Sequence, residues 1–501
     1  MMTAYQHTHT MSLAALLPGL AAHVHAKLGV SGLCLDSRCV QSGDLFFAIG
    51  GTRFDGRAFI EQAVRNGAVA VLVEAAAGWS CDTQVQGVPV IVVDRLTAQI
   101  GVMASRFYAH PSHAMIVTGV TGTNGKTTVT QLAAQIAESL DNASAVMGTL
   151  GWGRIGQLQS STHTTPDAIA VQSQLAALRD EGVQSVFMEV SSHALDQSRV
   201  GGVRFDTAVF TNISRDHLDY HGDMAAYEAA KTRLFAWPEL QHAVINGDDA
   251  AGCRLLALPD MAARAVSYST RNASADVYAS DIRYAASGLQ ARVHTPWGVG
   301  TLRCRLMGEF NLSNALAVIA VLGLQGHALQ RILSAFETVS PVIGRLESVA
   351  VHRGVNVVID YAHTPDALEK ALLTLRAHTS GRLHVVFGCG GDRDAGKRPL
   401  MGRAAECHAD RLYLTSDNPR HESAAVILQA IAGGLAHPES VQIIEDRASA
   451  IRAALDAATE HDTVLIAGKG HETWQQVGDE KRPFSDHAVV HAWLASHEVQ
   501  S

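Results

Sequence analysis

Covalent and metal cross-links have little to work with in this chain: its seven cysteines stand at 34, 39, 81, 253, 304, 389 and 407, with no C-x-x-C pair among them. Scattered and odd in number, they exclude a disulfide framework and a zinc ribbon, and they fit a reducing cytoplasm. No apolar run approaches the ~18 residues that a membrane span needs. Residues 13–22 have the length of a secretory core, but no Lys or Arg precedes them, so an amphipathic first helix is expected there. Basic runs are missing too, and with a net charge of −9 the chain carries no electrostatic footprint for nucleic acid. Individual arginines and backbone amides must hold any anionic substrate. Nor is there an internal repeat or a low-complexity segment.

What is present is a succession of short apolar runs and helical patterns. At 501 residues the chain has room for about three domains of ~100–200 residues each. Residues 1–113 carry apolar runs at 45–49, 69–73 and 88–93 with a helical pattern at 58–66, read as a small α/β unit closing at His110-Pro111-Ser112. Residues 114–340 offer strands at 115–117, 185–190, 207–212 and 242–246, a helix at 129–137, and another beginning near Asn311. That order predicts a mainly parallel sheet, with the alternating segment 266–306 as an antiparallel insertion. Residues 341–501 repeat strand then helix, with strands at 355–360, 383–387, 411–415, 441–444 and 463–467, which predicts a Rossmann-like doubly wound sheet. The expected fold class is therefore three-domain α/β.

The most informative segment is GVTGTNGKTT at 119–128, lying between a strand and a helix. Glycines let loop N–H groups face phosphate oxygens, and the helix N-terminus adds partial positive charge. Lys126 would reach the outer phosphates and the Thr127 hydroxyl a Mg²⁺. The usual glycine five residues before Gly125 is replaced by Val120. A second glycine-rich segment, GCGGDRD at 388–394, fails as a dinucleotide fingerprint because Arg393 stands at the last glycine position.

Two further places suit metal chemistry. Glu189 ends an apolar strand, where open sheets present ligands and where Mg²⁺ takes hard oxygen donors, although a strand-end carboxylate is ordinarily solvated. The segment TNISRDHLDYHG at 211–222 packs Asp216, His217, Asp219 and His221 together, and His217 is a candidate for a second cation. Lys231, in a helical stretch beyond it, reads in isolation as a surface lysine.

These segments, with MEVSSHAL (188–195), MGEFNLSN (307–314), Gly344-Arg345 and DYAHTPD (360–366), resemble the Mur ligase family, ATP-dependent amide-forming enzymes of peptidoglycan precursor assembly. DSR (36–38), GCGGDRD, DNPRHE (417–422) and AGKGHE (467–472) are similar to the members that add the third peptide residue as meso-2,6-diaminopimelate. The resemblance spans all three units. It implies ligation of diaminopimelate to the D-glutamyl γ-carboxylate of UDP-N-acetylmuramoyl-L-alanyl-D-glutamate through an acyl phosphate, by a cytoplasmic monomer whose partners are small molecules.

By the same likeness Gly122, Thr123, Asn124, Gly125, Lys126, Thr127, Thr128, Asn311, Arg345 and Asp360 would bind ATP. Two Mg²⁺ would be held by Thr127, Glu189, His217 and Lys231, the lysine carbamylated so that it becomes an oxygen ligand of the right sign. Lys126, Glu189, His217 and Lys231 would be the catalytic set. The nucleotide-sugar dipeptide would meet Leu35, Ser37, Thr52, Arg53, Phe54, His163, Thr164, Thr165, Ser191, Gln197 and Arg199, as well as Lys231. Around 51–54 the sequence departs from the commoner histidine-containing form, and His163 replaces an asparagine. Arg393, Asp417, Asn418, Pro419, Arg420, Gly468 and Glu472 would bind diaminopimelate, the arginines taking carboxylates and Asp417 and Glu472 receiving ammonium groups. Three rivals remain at this stage: a ligase adding lysine at the same step, folylpolyglutamate synthetase, and a nonenzymatic nucleotide-binding protein of this fold.

Overall fold

The structure is a computed structural model and describes residues 10–51, 55–76, 78–161, 163–259, 261–285 and 288–498. Among them are three principal sheets. The first runs Gly32–Cys34, Asp44–Ala48, Ala70–Glu74, Val88–Val93, Thr83–Val85, parallel except for the last, which turns back as an edge hairpin. The expected first helix is broken. It spans only Leu13–Leu16, and Pro18 then starts the 3₁₀ turn Pro18–Leu20, since proline has no N–H for a continuing helix. Likewise the helix expected at 58–66 begins at Ile60, after the 3₁₀ turn Gly56–Phe59.

The second sheet has ten strands in the order Gly151–Gly153, Ser144–Gly148, Ser185–Glu189, Ile116–Thr121, Thr207–Phe210, His242–Asn246, Arg264–Ser269, Val277–Ala285, Gly288–Thr295, Gly298–Cys304. The inner strands are parallel and apolar on both faces because helices cover both sides. The segment expected as an antiparallel insertion is antiparallel over Val277–Ala285, Gly288–Thr295 and Gly298–Cys304, and it continues this sheet, because Val277–Ala285 pairs in parallel with Arg264–Ser269. The helix Glu309–Leu324 is apolar all round and fully buried over most of its length, packed against the phosphate-loop helix Lys126–Ser139.

The third sheet runs Glu347–His352, Val355–Asp360, Thr463–Ala467, Leu383–Phe387, Arg411–Leu414, Gln442–Ile443. All five expected strands are present, and the antiparallel edge strand Glu347–His352 and the hairpin Trp474–Val477/Glu480–Pro483 join them. The strand latest in sequence lies at the sheet centre, so the carboxyl ends of Val355–Asp360, Leu383–Phe387, Arg411–Leu414 and Thr463–Ala467 gather at one edge. Ligand crevices of open sheets form at such edges. Beneath it, the fully buried Arg447 forms two 2.7 Å bonds with Asp486 and donates to the Ala467 carbonyl at 3.0 Å.

Candidate functional site

The phosphate loop follows directly from its strand. Val120, at the usual glycine position, is still in the strand, fully buried between its neighbours, so the loop opens two residues later at Gly122. Gly122 and Gly125 have φ of +148° and +87°. A Cβ on Gly122 would lie 1.9 Å from Thr211 Oγ1, and one on Gly125 would lie 2.6 Å from Asn314 Oδ1. Glycine is required at both places by backbone and space together.

The loop is clamped by the segment after the strand Thr207–Phe210. Asn212 accepts from the Thr123 and Asn124 amides at 2.8 and 3.0 Å, and Thr211 donates to the Asn124 carbonyl at 2.6 Å. Two amides that the sequence reading aimed at phosphate are thus engaged inside the protein. The amides left for an anion are those of the first helical turn, 125–128, which helix geometry leaves without intrahelical partners. Lys126 curls over the loop, donating to the Gly122 and Thr123 carbonyls at 2.8 and 2.9 Å, and burial holds its ammonium below the ordinary lysine range.

Glu189 is 1% exposed, which removes the solvated strand-end reading. It accepts from Thr127 Oγ1 at 3.0 Å, from the Thr149 amide at 2.8 Å and from the Thr149 hydroxyl at 3.1 Å. The third unit reaches the same spot: Arg345 Nη2 lies 3.1 Å from Thr127 Oγ1, and Asp366 takes a 3.3 Å bond from Asn124. Among the described residues Arg345 Nε is buried with no hydrogen-bond partner, a free donor beside the loop. Its guanidinium lies 4.7 Å from the Tyr361 ring centroid. Asp360 accepts from the amides of Leu346 and Ala362 at 2.7 and 2.9 Å, and burial raises it above the usual carboxylate range. Asn311 is buried, donates to Met307 O at 2.9 Å and accepts from Asn314 at 3.2 Å.

Lys231 is the largest departure from a reading by sequence alone. It is 1% exposed, and its Nζ donates to the Gly122 carbonyl at 2.8 Å, 4.5 Å from the Tyr227 ring centroid. Among the described residues no carboxylate lies within ion-pair distance of it. Burial, with Lys126 nearby, pushes its ammonium well below the ordinary lysine range, Asp216 opposing. His217 adopts a left-handed backbone, φ 54°, and burial draws its imidazole down to about 4 against the opposing pull of Asp216, 3.5 Å away. It is therefore neutral near pH 7, the form a metal ligand requires. No group of three His, Cys, Asp or Glu among the described residues forms a ready-made cation cage. Thr127 with Glu189 already presents hard oxygens, whereas the His217 and Lys231 pair suits a cation only if the amine is carbamylated.

Around Glu189 runs a continuous polar network. Thr165 donates to the Glu189 carbonyl at 2.8 Å and accepts from the Ser191 amide at 3.1 Å; Arg199 donates to the Thr165 carbonyl at 3.0 Å and to Gln197 at 2.6 Å. Thr164 joins through Thr149 at 3.0 Å, and His163 adjoins it. Ser37 donates instead to Gln62 at 2.9 Å on the first unit, and neither it nor Leu35 is hydrogen-bonded to this network. Thr52, Arg53 and Phe54 lie outside the described residues.

At the crevice edge of the third sheet, Arg420 donates to the Gly391 carbonyl at 2.7 Å, and a Cβ at Gly390 would lie 2.8 Å from Arg420 Nη1 and 3.8 Å from Arg393 Cγ. Burial, then Arg393, lowers Arg420 from its usual range. Gly468, at φ +113°, lets the Asp417 carboxylate approach where a Cβ would stand 2.6 Å from its Oδ2. Asn418 donates to Glu472 at 2.9 Å. Pro419 belongs to the same turn, its carbonyl against Gly391. Asn212, Tyr227 and Lys469 had no role assigned from sequence; Asn212 stands inside TNISRDHLDYHG and Lys469 inside AGKGHE, whereas nothing marked Tyr227.

Three family models match in order: "Mur ligase family, catalytic domain" at 29–108, "Mur ligase middle domain" at 120–322 and "Mur ligase, glutamate ligase domain" at 344–470. The UDP-N-acetylmuramoyl-L-alanyl-D-glutamate--2,6-diaminopimelate ligase of Ectopseudomonas mendocina (strain ymp) is 47% identical over 491 residues, covering 97% of this chain and 99% of that protein. A solved structure of a ligase of the same name superposes with a TM-score of 0.72 at 35% identity, covering 98% of this chain and all of that one. A folylpolyglutamate synthase of Mycobacterium tuberculosis, complexed with ADP and AMPPCP, shares the fold at a TM-score of 0.63 and 20% identity over 74% of this chain and 92% of that one. With these models covering most of its length and a relative aligned nearly end to end, the chain belongs to the Mur ligase family.

Proposed function

We propose that this enzyme uses ATP to join meso-2,6-diaminopimelate to the D-glutamyl γ-carboxylate of UDP-N-acetylmuramoyl-L-alanyl-D-glutamate. The observation that carries the amino-acid assignment is the convergence of Arg393 and Arg420 on Gly390, next to Asp417 and Glu472. Diaminopimelate differs from lysine by a second α-amino acid centre, and its extra carboxylate suits a guanidinium fork. The 47% identity to a protein of that name supports the reading, and the first unit, 1–113, is assigned to the uridine end, 114–340 to ATP and 341–501 to the amino acid.

In this reading ATP phosphates lie on the first-turn amides at 125–128 and Lys126, with Gly122, Thr123 and Asn124 shaping the loop. Arg345, Asn311 and Asp360 complete the nucleotide site, and the free Arg345 Nε donor supports an anion there. Thr127 and Glu189 would hold one Mg²⁺, and His217 with carbamylated Lys231 a second. Bound Mg²⁺ supplies positive charge where phosphate and carboxylate anions converge. The amine form of Lys231 adds to CO₂, losing a proton, and the buried nitrogen described above, which has a carbonyl but no carboxylate beside it among the described residues, is suited to that step. The dipeptide carboxylate oxygen attacks the γ-phosphorus, releasing ADP. The free amine of diaminopimelate then attacks the acyl phosphate carbonyl, and phosphate leaves as the amide forms. Lys126 neutralises the charge of the first step, the kind of electrostatic stabilisation that dominates phosphoryl transfer. Leu35, Ser37, His163, Thr164, Thr165, Ser191, Gln197 and Arg199 would position the nucleotide-sugar dipeptide.

ADP release measured with the dipeptide substrate and each amino acid tests the assignment: turnover with diaminopimelate is expected, and turnover with lysine alone would sink it. Arg420→Ala is expected to raise the KM for diaminopimelate by the equivalent of ~1.5–3 kcal/mol, the scale of a hydrogen bond to a charged group, with the KM for ATP unchanged.

A further inference from the structure

We propose that Lys469 sets the net charge of the amino-acid site and thereby selects diaminopimelate over lysine, an inference resting on the ligase reading above. The Lys469 side chain is fully buried, and its Nζ donates to Asn418 Oδ1 at 3.1 Å and to Glu472 Oε2 at 2.9 Å. Asn418 Nδ2 donates to that same carboxylate oxygen at 2.9 Å, and Asn418 Oδ1 also accepts from the Gln476 amide at 2.9 Å. A lysine is almost never buried unless paired, so the three side chains form one unit. The consequence for charge is direct. Glu472, read from sequence as a receptor for a substrate ammonium, already carries a cation of its own.

The site thus holds three cations, Arg393, Arg420 and Lys469, against two carboxylates, Asp417 and Glu472. Of the charges around them, Arg398 is bonded to Glu422 at 2.8 Å and Arg447 to Asp486 at 2.7 Å, while Asp392, the other carboxylate acting on Arg420, is exposed to solvent and bonded to His421 at 2.7 Å. The attacking amine of either amino acid must be uncharged to act as a nucleophile. In that form diaminopimelate keeps two carboxylates and one ammonium and is a monoanion, whereas lysine keeps one of each and is neutral. A site with one excess positive charge is balanced by diaminopimelate and left unbalanced by lysine. Uncompensated charge in a desolvated site is what rejects the analogue. Arg420 recognises the extra carboxylate by shape; Lys469 makes its absence costly.

The test compares kcat/KM for diaminopimelate and for lysine, read as ADP release, in the parent enzyme, Lys469→Met and Lys469→Arg. Lys469→Met is expected to lower the diaminopimelate-to-lysine ratio by at least ~10-fold, chiefly through the diaminopimelate KM, while Lys469→Arg retains the preference. If Lys469→Met does not fold, Lys469→Gln, which can still bond Asn418 and Glu472 but carries no charge, is expected to show the same loss. A neutral variant that slows both substrates alike and keeps the parent ratio would overturn the proposal, leaving Lys469 a structural prop. A parent enzyme that ligates neither amino acid would remove the ligase reading itself, a result distinct from an unchanged ratio.

Discussion

Lys231→Ala is expected to lower turnover by on the order of 10³-fold, the scale on which single electrostatic contributors to an active site act. The lysine cannot serve as it stands. Its buried nitrogen has a carbonyl for a partner and Lys126 for a neighbour, an arrangement that disfavours the ammonium form. A free amine in a closed, positively flanked position beside the phosphate loop is poised to add to CO₂, and the carbamate puts an anion in place of the neutral amine, facing Lys126. Alanine removes both, so a small carboxylate such as acetate or formate is expected to restore part of the activity to Lys231→Ala, because it can occupy the vacated volume with the missing charge. Carbon-13 NMR of the parent enzyme equilibrated with labelled bicarbonate should show a carbamate resonance that the variant lacks. Full activity in the variant would falsify the assignment.

The second large effect is predicted for Lys126→Met, a fall of roughly 10²–10³-fold in kcat. The side chain is held over the loop by the Gly122 and Thr123 carbonyls, so its ammonium is fixed before any anion arrives and pays little reorganisation when charge builds up. Lys126→Arg is not expected to rescue, because a planar fork cannot make the same two carbonyl bonds from one nitrogen at the loop's curvature. Titration of a fluorescent nucleotide separates the outcomes: nucleotide affinity is expected to fall with kcat, and a variant with normal affinity and normal turnover would remove Lys126 from the mechanism.

Particular residues show where the sequence was legible. Strand positions were read well wherever apolar runs were continuous, because strands buried on both faces need such runs, and all five expected strands of the third sheet are present. The broken first helix was not read, although Pro18 carried the signal. The antiparallel strands expected at 266–306 are present from Val277 on, but their joining the parallel sheet was not legible, because alternation reveals that a strand has one solvated face and says nothing about which sheet its edge joins. Spacing alone put Lys126 and Thr127 on one loop and Glu189 at a strand end, but only the fold brings Glu189 within 3.0 Å of the Thr127 hydroxyl. Asn212 was not legible, since an asparagine after a strand looks the same whether it caps a turn or clamps a phosphate loop.

By itself the sequence determined the phosphate loop, the α/β class and the chemistry available to each motif, since those depend on residue types at short spacings. Only the tertiary structure decided which charges are alone and which are paired. Lys231, a surface lysine when read in isolation, is buried with no carboxylate at ion-pair distance among the described residues, and Glu472, read as an ammonium receptor, is bound to Lys469. Burial and pairing arise from segments tens or hundreds of residues apart meeting in space, and the energy of a charge depends on that surrounding medium far more than on its neighbours along the chain.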